Sequence, residues 1–310
     1  MEWPTVAVAS AIAAGLAATF ALHEQLPSVV EIVVLGVLAA WYGSLQHEVI
    51  HGHPTRWRRV NTAMAIVPLA LVVPFRSYRT HHLAHHQTPD LTDPDDDPES
   101  WYVTAETWAS AGRVQRWYIS TIRTLLGRLV LGPPVVAVRW LAAGVRNTRT
   151  PTAIVRAAGH IAAVAAVLLV VRATGLSWWT YVVGVIWVGG ALTMLRSFAE
   201  HRMTDSGPRS AIVRSGRFFS LLYLNNNLHH THHVRPGLPW FELTAADAQL
   251  AADAEVAAGA GLYTGYGDIA RRYLLRPFDT PVRVSMGSAK QIAVGGADDG
   301  GHRGAVVALP

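Results

Sequence analysis

Four stretches of the chain are apolar on every side. Residues 5–22, 29–46, 152–171 and 178–196 each hold at most one charged residue over 18 residues or more. An amphipathic surface helix would confine its apolar positions to one stripe. These runs instead suit lipid, and each approaches the roughly 20 residues of a helical span. The linkers 21–28 and 172–177 are short, so the runs pair into two antiparallel hairpins. The first run has no positively charged lead-in and is followed at once by a second, so it is read as a retained span, not a signal peptide.

Two further runs break the rule. Residues 61–75 contain Pro68 and Pro74, and residues 121–141 contain Pro133, Pro134 and scattered Arg. Both are expected to lie in the plane of the interface, the first as a flat or shallow re-entrant segment. The fold class is then an all-α membrane protein: four transmembrane helices in two hairpins, interfacial helices and a histidine-rich cap. Residues 1–280 form one domain, and 281–310, rich in Gly, Ala and Asp, form a disordered tail.

Composition supports this picture. Charged residues make up 15% of the 310, against about a quarter in soluble domains. There is no Cys, which excludes iron–sulfur clusters, thiolate ligation and cysteine nucleophiles. Arg supplies almost all the basic charge, and Lys290 is the only lysine. With four spans, both termini and the loops bearing Arg56, Arg58, Arg59, Arg76, Arg79, Arg113, Arg116, Arg202, Arg209, Arg214 and Arg217 share one face. That face is expected to be cytoplasmic. Nothing suggests nucleic acid as a partner.

The same face carries the chemistry. Of 15 His, 11 fall in three clusters: HEVIHGH (His47, His51, His53), HHLAHH (His81, His82, His85, His86) and HHTHH (His229, His230, His232, His233). Residues three and four apart share a helix face. His47 and His51, then His82, His85 and His86, then His229, His232 and His233 can each aim at one place, and His201 follows the fourth span. These nine are the candidate ligands, enough for two metal ions. Imidazole alone admits iron, zinc or copper. His53, His81 and His230 are rotated off those faces, His160 suits an interhelical hydrogen bond, and His23 and His302 are too far away. Candidate groups to orient the rings are Glu48, Asp90, Glu200 and Asn225. The acidic run 93–99 is read as a solvated loop, the alternative being that one or two of its carboxylates brace the second cluster.

HEVIHGH, HHLAHH and LHHTHH at this spacing resemble the three histidine boxes of membrane fatty acid desaturases and their hydroxylase and ketolase relatives, over about residues 40–245. YRTHHLAHH followed by DLTDPDDDPES, and NNNLHHTHHVRPGLPW, look closest to the bacterial desaturase-like group. The resemblance implies a di-iron centre at the cytoplasmic surface of a bacterial inner membrane. It implies dioxygen as co-substrate, electrons from a separate ferredoxin-, rubredoxin- or cytochrome-type donor, and a lipid-like substrate from the bilayer that is desaturated by C–H abstraction. Carried over by position, the boxes supply eight ligands and His201 the ninth. Ser197 stands where some relatives place a water-linked Asn. Alternatives in the same superfamily are hydroxylation or ketolation of an alkyl or carotenoid substrate. More distant ones are a zinc metalloprotease, from His47-Glu48-Val49-Ile50-His51, and a metal transporter.

Overall fold

The computed structural model describes residues 1–146 and 149–283. The first hairpin is α1 (Trp3–Leu22) and α2 (Ser28–Ile50), followed by α3 (Arg58–Ala65) and α4 (Phe75–Gln87). A strand β1 (Val103–Thr104) and the short helices α5 (Ala105–Ser110) and α6 (Arg113–Thr121) lead to α7 (Leu125–Arg146) and α8 (Pro151–Ala173). Next, α9 (Trp178–Val182), a π-helical segment (Val183–Val188) and α10 (Gly189–Ser197) run on as one helix. The cap is β2 (Ile212–Val213), α11 (Arg217–Leu222), α12 (His229–Val234), α13 (Leu243–Leu250), α14 (Asp253–Ala258), β3 (Leu262–Tyr263), α15 (Tyr266–Tyr273) and β4 (Val282–Arg283). The strands pair in parallel, β1 with β4 and β2 with β3.

This is a mostly helical integral membrane protein. Among the described residues five helices are long and apolar enough to cross a bilayer, one more than the pattern gives. The addition is α7, which continues through Pro133 and Pro134 where the sequence suggests an interruption. Proline removes a helical hydrogen bond and crowds the preceding turn. Here close packing holds the helix together: a Cβ on Gly190 would lie 2.9 Å from Pro133 Cβ, and one on Gly132 would lie 2.4 Å from Met194 Sδ.

The scaffold of the site is α2 against the α9–α10 helix. A Cβ on Gly36 would meet Val188 Cγ1 at 2.4 Å, so only glycine allows this approach. At its far end α2 stops at Gly52, whose φ of 105° is open to glycine and strained for other residues.

Between α3 and α4 the chain is irregular, and its carbonyls are met by side chains from three of the long helices. Tyr42 Oη donates to Val67 O (2.9 Å), Tyr181 Oη to Leu69 O (2.8 Å) and His160 Nε2 to Leu71 O (3.0 Å). Each such carbonyl left bare in an apolar setting would cost about 1–3 kcal/mol. From His51 the chain runs through α3 and this segment to His82 on α4, and those two rings meet at 3.0 Å. The whole excursion therefore leaves and re-enters the same site.

Of the segment read as a tail, Pro281 is followed by β4, with Arg283 buried. The remainder, including His302, lies outside the described residues.

Candidate metal centre

All nine candidate histidines converge, in two adjacent groups. His47, His51, His82, His86 and His232 each offer a nitrogen, and these lie within 4.8 Å of one another; so do those of His85, His201, His229 and His233. Helical geometry explains the division. At about 100° per residue, positions i and i+4 lie some 40° apart, and i+3 falls on the other side of i. On α4 the pair His82/His86 joins the first group and His85 the second. On α12 the allocation is reversed: His229/His233 join the second group and His232 the first. The end of α2 adds His47 and His51 to the first group, whereas the second receives only His201, just past α10.

The outward nitrogens are held by acceptors. His85 Nδ1 donates to Asp97 Oδ1 (2.7 Å), His82 Nδ1 to Glu99 Oε1 (3.0 Å), His201 Nδ1 to Arg209 O (3.2 Å) and His229 Nδ1 to Asn226 Oδ1 (3.1 Å). A neutral ring that donates through Nδ1 has a lone pair at Nε2. Those Nε2 atoms face each other: His85 and His201 at 3.0 Å, His201 and His229 at 2.9 Å, and His82 with both His51 and His86 at 3.0 Å. Lone pairs at that distance repel unless a cation lies among them. Two nitrogens each about 2.1 Å from one first-row metal ion, at right angles, are about 3.0 Å apart. The donor set thus fits a metal ion in each group.

Electrostatics favour neutral rings at His51, His86 and His201, and His85 is the exception. Burial and the His82 ring push His51 down to about 3, and burial with His82 and His51 pushes His86 to about 2. Burial and His85 push His201 down to about 3. For His85 burial acts downward too, but Glu99 and Asp97 more than offset it and raise the ring to about 9. Burial pushes the Asp97 carboxyl up, and the hydrogen bond and charge of His85 outweigh it, so the group is lowered.

The orienting groups differ from the sequence reading. Asp90 touches none of the nine: it pairs with Arg209 and, at 2.5 Å, with Arg283. Asn225 has a left-handed φ of 54° that turns its side chain to Trp240 O (2.9 Å), and its neighbour Asn226 takes the place beside His229. Glu48 Oε2 accepts from Trp240 N (3.1 Å), and its other oxygen is 4.0 Å from His47 Nδ1. Glu200 Oε1 is 3.5 Å from His229 Nδ1 and 2.8 Å from Arg196 Nε. The acidic run is not merely solvated: Asp97 and Glu99 brace the second box, as the alternative reading had it. Alternating spacing within DPDDDPES was the available signal, but the turn at Asp93–Asp97 that selects these two is not visible in it. Outside the groups, His53 bonds Glu2 (2.6 Å), His230 bonds Ser210 Oγ (2.9 Å), His23 donates to Thr174 O (2.8 Å) and His81 lies against the Trp140 ring.

With this geometry in hand, the comparison with known families is decisive. A family model described as fatty acid desaturase matches residues 24–263. The chain belongs to the fatty acid desaturase family. Comparison with curated proteins returned no match. Membership makes it a di-iron oxidoreductase whose substrate is a lipid and whose electrons come from a donor, and its two histidine groups are typical of such a centre. A zinc protease reading of His47-Glu48-Val49-Ile50-His51 does not suit the geometry. Glu48 is engaged by the Trp240 amide, and both histidines join three further imidazoles.

A cavity of about 290 Å³ reaches the centre at Glu200 and His201. It runs between α2, the 68–73 segment, α7 and the α9–α10 helix, where Ala39, Val72, Pro133 and Val185 line it. Ser197, one turn before His201, also lines it.

Proposed function

We propose that this chain is a dioxygen-dependent desaturase that removes hydrogens from an aliphatic acyl chain. The observation that carries the reading is the pair of interlocked histidine groups at the end of a largely apolar cavity. His47, His51, His82, His86 and His232 would hold one iron, and His85, His201, His229 and His233 the other. When bound, the irons supply the oxidising power of dioxygen and two donated electrons against an unactivated C–H bond. The chain's own residues supply placement. Asp97, Glu99 and Asn226 fix ring orientation. The apolar walls hold the chain and keep stray water away.

Leu125, the first residue of α7, is buried in the same cluster as Phe198 and the cap residues Val213 and Tyr263. Further along α7, Trp140 lies against the His81 ring of α4. Contacts of its start with the cap and of its later part with α4 support an in-plane α7 and four crossing helices. The arginine-rich cap then faces the cytoplasm. Arg56, Arg58, Arg59 and Arg76 are exposed there and suit docking of an acidic ferredoxin-, rubredoxin- or cytochrome-type donor.

The test is the lipid profile of a host expressing the chain, compared with one expressing His85→Ala. New double bonds in acyl chains with the parent and none with the variant are expected. Hydroxylated or ketone-bearing lipids would move the reading to the hydroxylase or ketolase alternative, and an unchanged profile with iron bound would refute it.

A further inference from the structure

The lining of the cavity includes a cation with no counter-ion among the described residues. Arg128, in the first turns of α7, is 1% exposed and lines the cavity. Its Nε donates to Ile122 O at 2.9 Å, and its guanidinium carbon lies 3.6 Å from the centroid of Trp101. Nη1 is buried and has no hydrogen-bond partner among the described residues. Among the described residues no carboxylate lies within ion-pair distance of Arg128. The nearby Asp279 is already taken, since it accepts from both Arg123 and Tyr102.

A buried charge is normally paired, because removal from water is expensive and only an opposing charge with hydrogen bonds offsets it. Stacking on Trp101 offsets part of that cost but leaves Nη1 empty. The planar guanidinium fork matches carboxylate and phosphate oxygens. The same cavity is also lined by His201 and by the apolar positions Ala39 and Val185, the latter about four turns of helix before His201.

We infer that Arg128 seats the anionic head group of the substrate. The substrate is then a long aliphatic chain ending in an oxyanion, a carboxylate or a phosphate, whose tail passes the histidine centre toward the membrane-embedded end. This deepens the proposed lipid desaturase reading and rests on it. Because the acid end is fixed at Arg128 and the reacting carbon lies near His201, the position attacked is counted from the head group.

The test uses the full-length protein in detergent and the binding of radiolabelled palmitic acid, which needs neither iron nor turnover. Unlabelled palmitic acid should compete at least tenfold better than its uncharged methyl ester. Arg128→Met should abolish that preference, and Arg128→Lys, which keeps the charge but not the fork, should retain part of it. Competition by phosphatidic acid that is lost in Arg128→Met assigns the oxyanion to a phosphate and also supports the seat. Equal competition by acid and ester in the wild type, or an acid preference that survives Arg128→Met, would overturn it. Should Arg128→Met not fold, the wild-type comparison of acid and ester still decides. Iron content and the lipid profile of the expressing host report separately on the desaturase reading.

Discussion

Replacing Asp97 should empty one half of the metal centre. The carboxylate is 2% exposed and accepts three hydrogen bonds. Oδ1 takes His85 Nδ1 (2.7 Å) and Glu99 N (2.9 Å), and Oδ2 takes Thr92 N (2.9 Å). Asp97→Ala leaves three donors facing the gap. At about 1 kcal/mol or more for each buried donor left unmet, the loop loses about 3 kcal/mol or more. His85 also loses the partner that fixes its tautomer and angle. Loss of such a partner typically lowers metal affinity 10–100-fold. His85 belongs to the four-histidine group, so that group should release its ion first, and iron should fall from two toward one per chain under chelator challenge. Asp97→Asn keeps one oxygen for His85 but turns an amide against Thr92 N–H, so it should fall between Ala and the wild type. Asp95, exposed in the same loop, is the control: Asp95→Ala should retain both irons. Iron per chain, measured by mass spectrometry across a chelator series, is the assay. Retention in Asp97→Ala equal to that of the wild type would show that the Asp97–His85 contact does not position a ligand.

Arg283→Ala should loosen the same loop from outside, since Arg283 is buried and bonds Leu91 O and Thr92 Oγ1, each at 3.0 Å; two acceptors left unmet cost about 1–3 kcal/mol each, seen as a lower melting temperature in detergent. Gly36→Ala should cost about 1–3 kcal/mol by overpacking against Val188, where the new Cβ would sit at 2.4 Å, and the melting temperature reads it. His232→Ala should lower iron content, whereas His53→Ala, which loses only the contact to Glu2, should not; equal loss in both would overturn the ligand assignment. In the iron-stripped protein His51 and His201 are held to about 3 and His86 to about 2, so the unfolded chain binds more protons below about 6.5. The contribution of these three rings should therefore be full above about pH 6.5 and decline as pH falls toward 3, whereas that of His85, raised to about 9, is full below about 6.5 and lost as pH rises through 9; thermal melting from pH 3 to 9 should show a maximum between these limits.

The parts legible in the sequence are those set by local period. Apolar runs of 18 residues or more marked four of the five long helices, i, i+3, i+4 spacing picked out eight of the nine grouped histidines, and the ninth, His201, was marked by its place just after the fourth span. What the sequence hid depends on contacts between distant segments. Pro133–Pro134 reads as a break until Gly190 is seen to accept Pro133 against it. Asn225 reads as the orienting group, one turn before His229, until a left-handed turn at residues 224–225 sends it to Trp240 and leaves Asn226 beside His229. Asp90 resembles an orienting acid until Arg209 and Arg283 claim it.

The two histidine groups are unequal, and the inequality has a direction. α4 and α12 contribute in mirrored fashion, a pair to one group and a single ring to the other, which by itself would give two equivalent sites of three. The difference comes from the hairpin ends. α2 ends with two histidines one turn apart and completes a group of five, whereas α10 delivers only His201 to a group of four. Of the nine rings, His201 is the one that also lines the cavity, next to Ser197 and Glu200. The four-histidine group is therefore the one beside the cavity, and the five-histidine group sits at the end of α2. If each group held an iron, the four-histidine one would keep the more open position for a small reactant, and the five-histidine one would serve to retain its ion. On the proposed reading the asymmetry of the hairpins, more than the boxes themselves, sets which side of the centre would meet the lipid.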